Sequence, residues 1–406
     1  MLEECCCANR IGSEKNEGTE LKIILGTDPI RFPLTGIGRY TYELARNMQA
    51  NVKVDELVFF NRRKISKYLP ENSIVTNPIN GVRFGSLKKS IQKVGFLADV
   101  YRVTNPILQY RALRNFSEYI YHGPNFYLPR FSGLKVATFH DLSPFTWSHC
   151  HPPERVRFMQ KELLRTVRSA DVLITDSEHT RIELAKYFNL PLNKIQSVPL
   201  AASPEFGVRS ESECLSVLKK YNLGYRHFSL YVGTIEPRKN IEGLLEAYRK
   251  LPLRLRTRFP LVLSGYQGWN SDAIHSKIRK AVEEGWATYL GFVPASDLPL
   301  LFSSAALFTF PSYYEGFGLP VLESMASGTP VVCSNSSSLP EVAGDTALTC
   351  GPNDINCLAD SIERGLEDNI WRDFAIEKGI SRAAEFSWHR CAEMTVAVYD
   401  QMLKTG

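Results

Sequence analysis

Two acidic residues eight positions apart, Glu315 and Glu323, bracket a pair of glycines in the segment Pro311–Pro330, PSYYEGFGLPVLESMASGTP. Gly316 and Gly318 let backbone N–H groups approach a ligand closely. Pro320 stands at the first turn of a helix whose N-terminus favours an anion. Glu315 belongs to the loop, and Glu323 falls about one turn into the helix. Two carboxylates beside a phosphate would repel it, whereas sugar hydroxyls can donate hydrogen bonds to them. The spacing alone equally describes a glycine-rich loop with two solvated glutamates.

A second cluster, Gly233–Asn240 (GTIEPRKN), places adjacent cations, Arg238 and Lys239, near the start of a helix. No C-terminal helix dipole favours them there, so an external anion is the better partner. A diphosphate suits a forked guanidinium and a point-charge ammonium together; a solvated surface pair is the plainer alternative. Thr35–Arg39 (TGIGR) lies between the first strand and the first helix, as a simple turn or as a cap over a diphosphate. His140, followed by Asp141, ends a strand at Lys135–Phe139. It is placed to bond a substrate hydroxyl or accept a proton, or to be a satisfied core histidine. His122, His149 and His151 lack metal-ligand spacing.

These residues need a scaffold that delivers them to strand ends. Short apolar runs at Leu21–Leu25, Val54–Phe60, Ser117–His122, Lys135–Phe139 and Asp171–Thr175 read as strands. Between them lie helical patterns at Tyr40–Met48, Glu154–Ser169 (amphipathic and basic) and Ser177–Tyr187, the last with Ser177 as N-cap. After a break near Leu200–Gly207 the pattern restarts. Strands are expected at Phe228–Val232, Pro260–Leu263, Thr288–Leu290, Leu307–Phe310 and Val331–Cys333. Helices are expected at Ile241–Lys250, Ser271–Glu284, Ala295–Ala305 and Pro320–Ser327. Two consecutive α/β units with parallel sheets follow, and ligands belong at the carboxyl ends of their strands. A final helix, Ser387–Leu403, has no strand after it.

With 406 residues, 44% hydrophobic and 22% charged, the chain has the size and composition of two globular domains. No apolar run approaches the ~20 residues that cross a bilayer, and the N-terminus lacks a secretory apolar segment, so a cytoplasmic protein is expected. Nine scattered cysteines argue against a disulfide framework; Cys5, Cys6 and Cys7 are adjacent, a reactive or lipidated tail being one reading. The net charge of +5 divides unevenly, the first 200 residues basic and the remainder acidic, so the front half is expected to meet something anionic.

From about Leu21 to Leu403 the chain resembles the retaining glycosyltransferases of family 4. The resemblance rests on the GIGRY loop, HDLSPF, GTIEPRKN and the E-x7-E signature Glu315–Glu323 within EGFGLPVLE. HDLSPF, HPPERVRFM and SSLPEVAGD look most like bacterial O-antigen mannosyltransferases. The resemblance implies an α/β GT-B fold of two facing Rossmann-like domains. Residues 1–20 would form a disordered tail, 21–204 an acceptor-binding domain, 205–386 a nucleotide-sugar domain, and 387–406 a helix crossing back to the first domain. It implies a catalytic set of His140, Arg238, Lys239 and Glu315, the two cations neutralising the donor diphosphate without a metal or other cofactor. Gly36, Gly38, Gly233, Gly316, Phe317, Gly318, Leu319 and Glu323 (on the ribose) would bind the donor, with Val293 near the nucleobase.

The implied reaction retains anomeric configuration and moves a hexose, with mannose from GDP-mannose favoured, onto a lipid-linked saccharide for surface polysaccharide. A GDP-sugar such as GDP-rhamnose, or a nucleotide-sugar epimerase of similar fold, stands beside it. A dinucleotide oxidoreductase is the rival from another class, although TGIGR lacks the full GxGxxG; Asp55 or Glu56 would be its ribose-binding acid. The basic, apolar-interleaved stretch 83–114 is expected either to touch an anionic membrane surface or to pack as an ordinary amphipathic helix. A nucleic-acid binder would leave the four charged residues of the acidic half unexplained.

Overall fold

A computed structural model describes residues 20–34, 36–70 and 106–405. The apolar runs fold as two sheets. The first has the strand order β3-β2-β1-β4-β5-β6-β7, built from β1 (Lys22–Gly26), β2 (Glu56–Asn61), β3 (Lys64–Ser66), β4 (Ile120–Gly123), β5 (Lys135–Phe139), β6 (Val172–Thr175) and β7 (Ile195–Ser197). The second has the order β10-β9-β8-β11-β12-β13, from β8 (Ser229–Val232), β9 (Leu261–Ser264), β10 (Ala287–Gly291), β11 (Leu307–Phe310), β12 (Val331–Ser334) and β13 (Leu348–Cys350). Every described pairing is parallel except the β2–β3 hairpin. Helices cover both faces of a parallel sheet, which is why the central strands read as unbroken apolar runs. β9, β11 and β12 are buried along their whole lengths.

In each sheet the chain order reverses once, at β1/β4 and at β8/β11. Loops leaving those strand pairs diverge and open a crevice at their carboxyl ends. Six helices position the site: α1 (Gly36–Gln49), α2 (Pro153–Ser169), α3 (Glu178–Phe188), α4 (Ile241–Lys250), α5 (Leu319–Ala326) and α6 (Trp388–Thr405). α1 begins four residues before the expected start, so Gly36–Arg39 are its first turn and not a free loop. The hairpin strand β3 and the edge strands β7 and β13 were not expected; each has only three residues.

The last helix packs on the first domain. Tyr399 of α6 bonds His122 of β4, with 2.5 Å between its hydroxyl and Nδ1, and Trp388 lies against Tyr40 of α1. Of the basic stretch 83–114, residues 83–105 lie outside the described residues, as do Cys5, Cys6 and Cys7. Its remainder forms a helix over 106–113 with Arg111 and Arg114 exposed. None of the described helices is long and apolar enough to cross a membrane.

Candidate active site

The chemistry gathers at the β8/β11 reversal. β8 runs into Gly233, where a side chain would meet the Tyr231 hydroxyl at 2.8 Å, and then into a 3-10 turn, Pro237–Lys239. Asn240, in the left-handed region at φ 54°, ends that turn and starts α4. β11 runs into Pro311–Gly318 and then α5. Because Leu307 pairs with Ser229, the two loops emerge side by side, and the cations of one meet the carboxylate of the other. Lys239 Nζ lies 2.6 Å from Glu315 Oε1, and Arg238 Nη1 lies 3.4 Å from Glu315 Oε2. Arg238 also donates to Glu236 Oε1 at 2.7 Å and to the Tyr314 carbonyl at 2.6 Å.

An external anion was the expected partner of Arg238 and Lys239. Within the chain, both cations also pair with the carboxylates of Glu315 and Glu236. All four side chains are buried, so an unpaired charge there would be strongly penalised. Burial pushes the Glu315 carboxyl up, but Lys239 and Arg238 outweigh it and hold it below the usual range. Burial and the neighbouring guanidinium lower Lys239. The result is a charge-balanced cluster.

Glycines set how closely the loops pack. A side chain at Gly316 would come within 1.7 Å of the His140 carbonyl, which is impossible. Gly316 is therefore one place where the second domain touches the first, beside Tyr314, whose hydroxyl accepts from the Leu142 amide at 2.9 Å. Its carbonyl accepts from Ser177 Oγ at 2.7 Å and from Thr180 Oγ1 at 3.1 Å. Ser177 caps α3, as expected, and Glu341 adds a carboxylate to the same terminus, accepting from the amides of Glu178 and His179. Gly318 adopts φ +115° and leads into α5, with Leu319 its first residue. Phe317 turns into the core against Phe386, and Val293 is buried just after β10. Gly38 lies against the Pro29 carbonyl, where a side chain would meet it at 2.8 Å, so its smallness serves packing; Gly36 faces open space.

His140 is held from both sides by first-domain groups. Its Nδ1 lies 2.7 Å from Asp176 Oδ2, and its Nε2 lies 2.9 Å from the Pro124 carbonyl. A carbonyl only accepts, so Nε2 carries hydrogen, and Nδ1 and the buried Asp176 carboxyl share a hydrogen bond. Burial works against a charged ring, yet Asp176 raises His140 above its ordinary value. Both ring nitrogens are engaged within the chain. Asp176, the partner that sequence reasoning missed, immediately follows β6 as His140 follows β5; that parallel position was the available signal. Gly265 was missed as well: its Cβ would lie 1.8 Å from the Gly233 carbonyl, locking the loops after β8 and β9 together.

Glu323 is half-buried in α5 and faces Arg39 of α1 and Glu205. Burial pushes it up to about 8, and Arg39 offsets this only in part. The oxidoreductase alternative loses its ribose-binding acids. Asp55 precedes β2 and accepts from the Leu21 amide at 2.6 Å, while Glu56 accepts from the Tyr119 hydroxyl at 2.6 Å. Both stand at the amino end of the sheet, opposite the crevice.

The chain aligns with the family model "Glycosyl transferases group 1" over residues 219–382, the stretch that carries Arg238, Lys239, Glu315 and Glu323. It is 44% identical over 381 residues to O-antigen chain mannosyltransferase B of Escherichia coli, covering 93% of this chain and 99% of that one. The chain belongs to the group 1 glycosyltransferases. The transferase is also 31% identical to the serotype-specific mannosyltransferase WbdA of Escherichia coli over 67% of its own length, corresponding to only 34% of that longer protein. Its backbone superposes on sucrose-phosphate synthase from Thermosynechococcus elongatus with a TM-score of 0.67 at 19% identity, over 95% of this chain and 100% of that one. The fold is GT-B: two parallel-sheet α/β domains facing each other across the strand ends that hold the transferase's charged cluster.

Proposed function

We propose that the transferase moves mannose from GDP-mannose, with retention of anomeric configuration and without a metal, onto a lipid-linked saccharide in O-antigen or related surface-polysaccharide synthesis. The observation that carries this reading is the Arg238–Lys239–Glu315 cluster at the β8/β11 reversal. The full-length likeness to an O-antigen mannosyltransferase supplies the sugar. When the donor enters, its hydroxyls draw Glu315 away from Lys239, and the diphosphate takes the carboxylate's place beside both cations. The bond from the anomeric carbon to the diphosphate oxygen breaks as positive charge grows on that carbon. Arg238 and Lys239 stabilise the departing dianion. The acceptor hydroxyl attacks from the face the diphosphate leaves, and its proton passes to the leaving phosphate, which needs no side-chain base. His140, bonded to Asp176 and the Pro124 carbonyl, positions the Pro124 loop, while its own backbone carbonyl packs against Gly316. The enzyme works at the cytoplasmic face of the membrane as a peripheral protein, consistent with the basic first half.

Calorimetric binding of GDP, UDP and ADP in chelator, followed by transfer from the matching mannose donor, tests the assignment. Tight binding of GDP alone and an α-linked product from the α-linked donor are expected. Binding of UDP alone, or an inverted product, would overturn the donor or the stereochemistry respectively.

A further inference from the structure

After His140 the chain runs Asp141–Arg155, DLSPFTWSHCHPPER, and the fold carries the end of this first-domain stretch across to the second domain. There it meets the loops that leave β8, β9 and β11. Trp147 stacks on Tyr313, with ring centroids 5.8 Å apart and 20° between the planes. The His149 carbonyl accepts from Asn270 Nδ2 at 3.0 Å. Cys150 is fully buried, with its thiol against the Arg238 amide. The guanidinium of Arg155 lies 4.4 Å above the Trp269 ring, and the His151 ring meets Trp269 edge-on at 5.8 Å. One segment of the first domain thus seats His151 beside the loop that carries Glu236 and Arg238.

The His151 ring is fixed at one nitrogen and unmatched at the other. Its Nε2 lies 3.2 Å from Ser143 Oγ, and the buried Ser143 donates its amide to Asp141 Oδ1 at 2.9 Å. The segment that follows His140 therefore also orients His151. Its Nδ1 is buried and has no hydrogen-bond partner within the chain. Buried polar atoms are matched almost everywhere in folded proteins, so a ring held in place with one nitrogen unmatched asks for an outside partner. The charged groups acting on it are Glu236, Arg238, Asp141 and Arg155. Burial outweighs both carboxylates and lowers His151 below its ordinary value. A neutral ring brings no charge with which to hold a phosphate. A hydroxyl, which both donates and accepts, matches Nδ1 in either tautomer. Trp269 beside it adds the aromatic wall that ligand sites combine with a placed polar group.

We infer that His151 is a substrate-binding residue contributed by the first domain: its Nδ1 takes a hydroxyl of a sugar at the transfer point, Ser143 holds the ring, and Cys150 seats it against the Arg238 loop. The inference rests on the transferase reading above and adds a side chain that selects the sugar. The hydroxyl belongs either to the mannosyl unit being moved or to the saccharide that receives it, and each source moves a different measurement.

The test compares the full-length enzyme with His151→Ala, His151→Asn and His151→Gln. Asparagine sets its amide where Nδ1 stands and glutamine where Nε2 stands, so the pair separates use of Nδ1 from the Ser143 contact. His151→Ala should weaken one constant by about tenfold, the worth of one hydrogen bond between neutral groups. If the hydroxyl is the donor's, calorimetric affinity for GDP-mannose falls by that factor, while GDP affinity and the KM of a soluble α-mannoside acceptor hold. If it is the acceptor's, that KM rises by the same factor and both nucleotide affinities hold. His151→Asn should recover most of the loss and His151→Gln little of it, with Tm unchanged in all three. Unchanged constants in His151→Ala would overturn the inference. So would an equal loss for GDP, GDP-mannose and acceptor together with a lower Tm, since the ring would then only brace the two domains. Equal recovery by glutamine and asparagine would also refute it, because the Ser143 contact would then account for the loss. Should the wild type transfer mannose to no acceptor, the transferase reading fails by itself. Nitrogen NMR with methyl α-mannoside then decides His151: a shifted Nδ1 resonance, with those of His122 unmoved, supports the site, and an unmoved one refutes it.

Discussion

Lys239 and Glu315 hold each other at 2.6 Å, and each is needed elsewhere once a donor binds. Removing one exposes the other, so their substitutions should part in sign. Lys239→Ala should cut kcat by about 100- to 1000-fold, the range for losing one group that stabilises developing charge, and should weaken GDP binding as well. Glu315→Gln should also lower kcat by at least about tenfold, because sugar hydroxyls lose their carboxylate, yet it should leave GDP binding equal or tighter, because the internal competitor is gone. Calorimetry beside steady-state kinetics separates the two; GDP binding weakened alike in both variants would show that Glu315 never yields its place. His140 carries a second residue-scale expectation. With Asp176 and Pro124 as its partners, it should titrate above the ordinary imidazole range, as nitrogen NMR would show. Asp176→Asn should lower that titration, and an unchanged midpoint in the variant would count against the Asp176 contact. Arg238, Lys239 and Glu315 were legible in the sequence because motifs put them at strand ends. Their mutual pairing was not, since it depends on which strands are neighbours, and nothing local to GTIEPRKN says that β8 lies beside β11.

At the scale of elements, the strongly apolar runs were readable and the short edges were not. β1, β5, β9 and β11 announce themselves as buried runs, whereas β7 (IQS) and β13 (LTC) gain their character from pairing with β6 and β12. α1 was set to begin at Tyr40, because Gly36 and Gly38 look like a loop. The helix extends through them since Gly38 must lie against the Pro29 carbonyl and only a glycine fits. The last helix's return to the first domain follows from the family resemblance, whereas its own pattern names no docking residues. Its anchor is Tyr399 on His122, whose other nitrogen meets Thr138 Oγ1 at 2.8 Å. Burial, with a lesser contribution from His140, pushes His122 down to about 3, so it stays neutral in the fold. Tyr399→Phe keeps the ring and strips one partner from a buried nitrogen. A loss of about 1–3 kcal/mol in urea unfolding is expected. Donor affinity should hardly change, because α6 grips the first domain away from the β8/β11 loops. A loss of GDP binding comparable with the loss of stability would mean that the helix shapes the donor site directly.

The whole molecule depends on two domains meeting across Gly316, and Glu323 lies where α5 approaches Arg39 of α1. Its folded pKa, raised to about 8 chiefly by burial, exceeds its unfolded value near 4.5. The native state therefore holds a proton that the unfolded chain releases between those values. Stability from this group is complete below about pH 4.5 and falls as pH rises towards 8. Glu323→Gln should flatten that fall and leave the protein more stable at pH 8, by an amount on the order of 1–3 kcal/mol. His122 acts oppositely: its depressed value removes stability as pH drops below about 6.5, so the two groups confine maximum stability to the acid side of neutrality. The same proton reports on function. If Glu323 accepts hydrogen bonds from ribose hydroxyls, it must bind the nucleotide ionised, and GDP binding at pH 7 must expel the proton. Titrations in buffers of different ionisation enthalpy should show close to one proton released in the wild type and none in Glu323→Gln. A wild-type enzyme that binds GDP without releasing a proton would place the ribose elsewhere and leave Glu323 as a neutral brace between the domains.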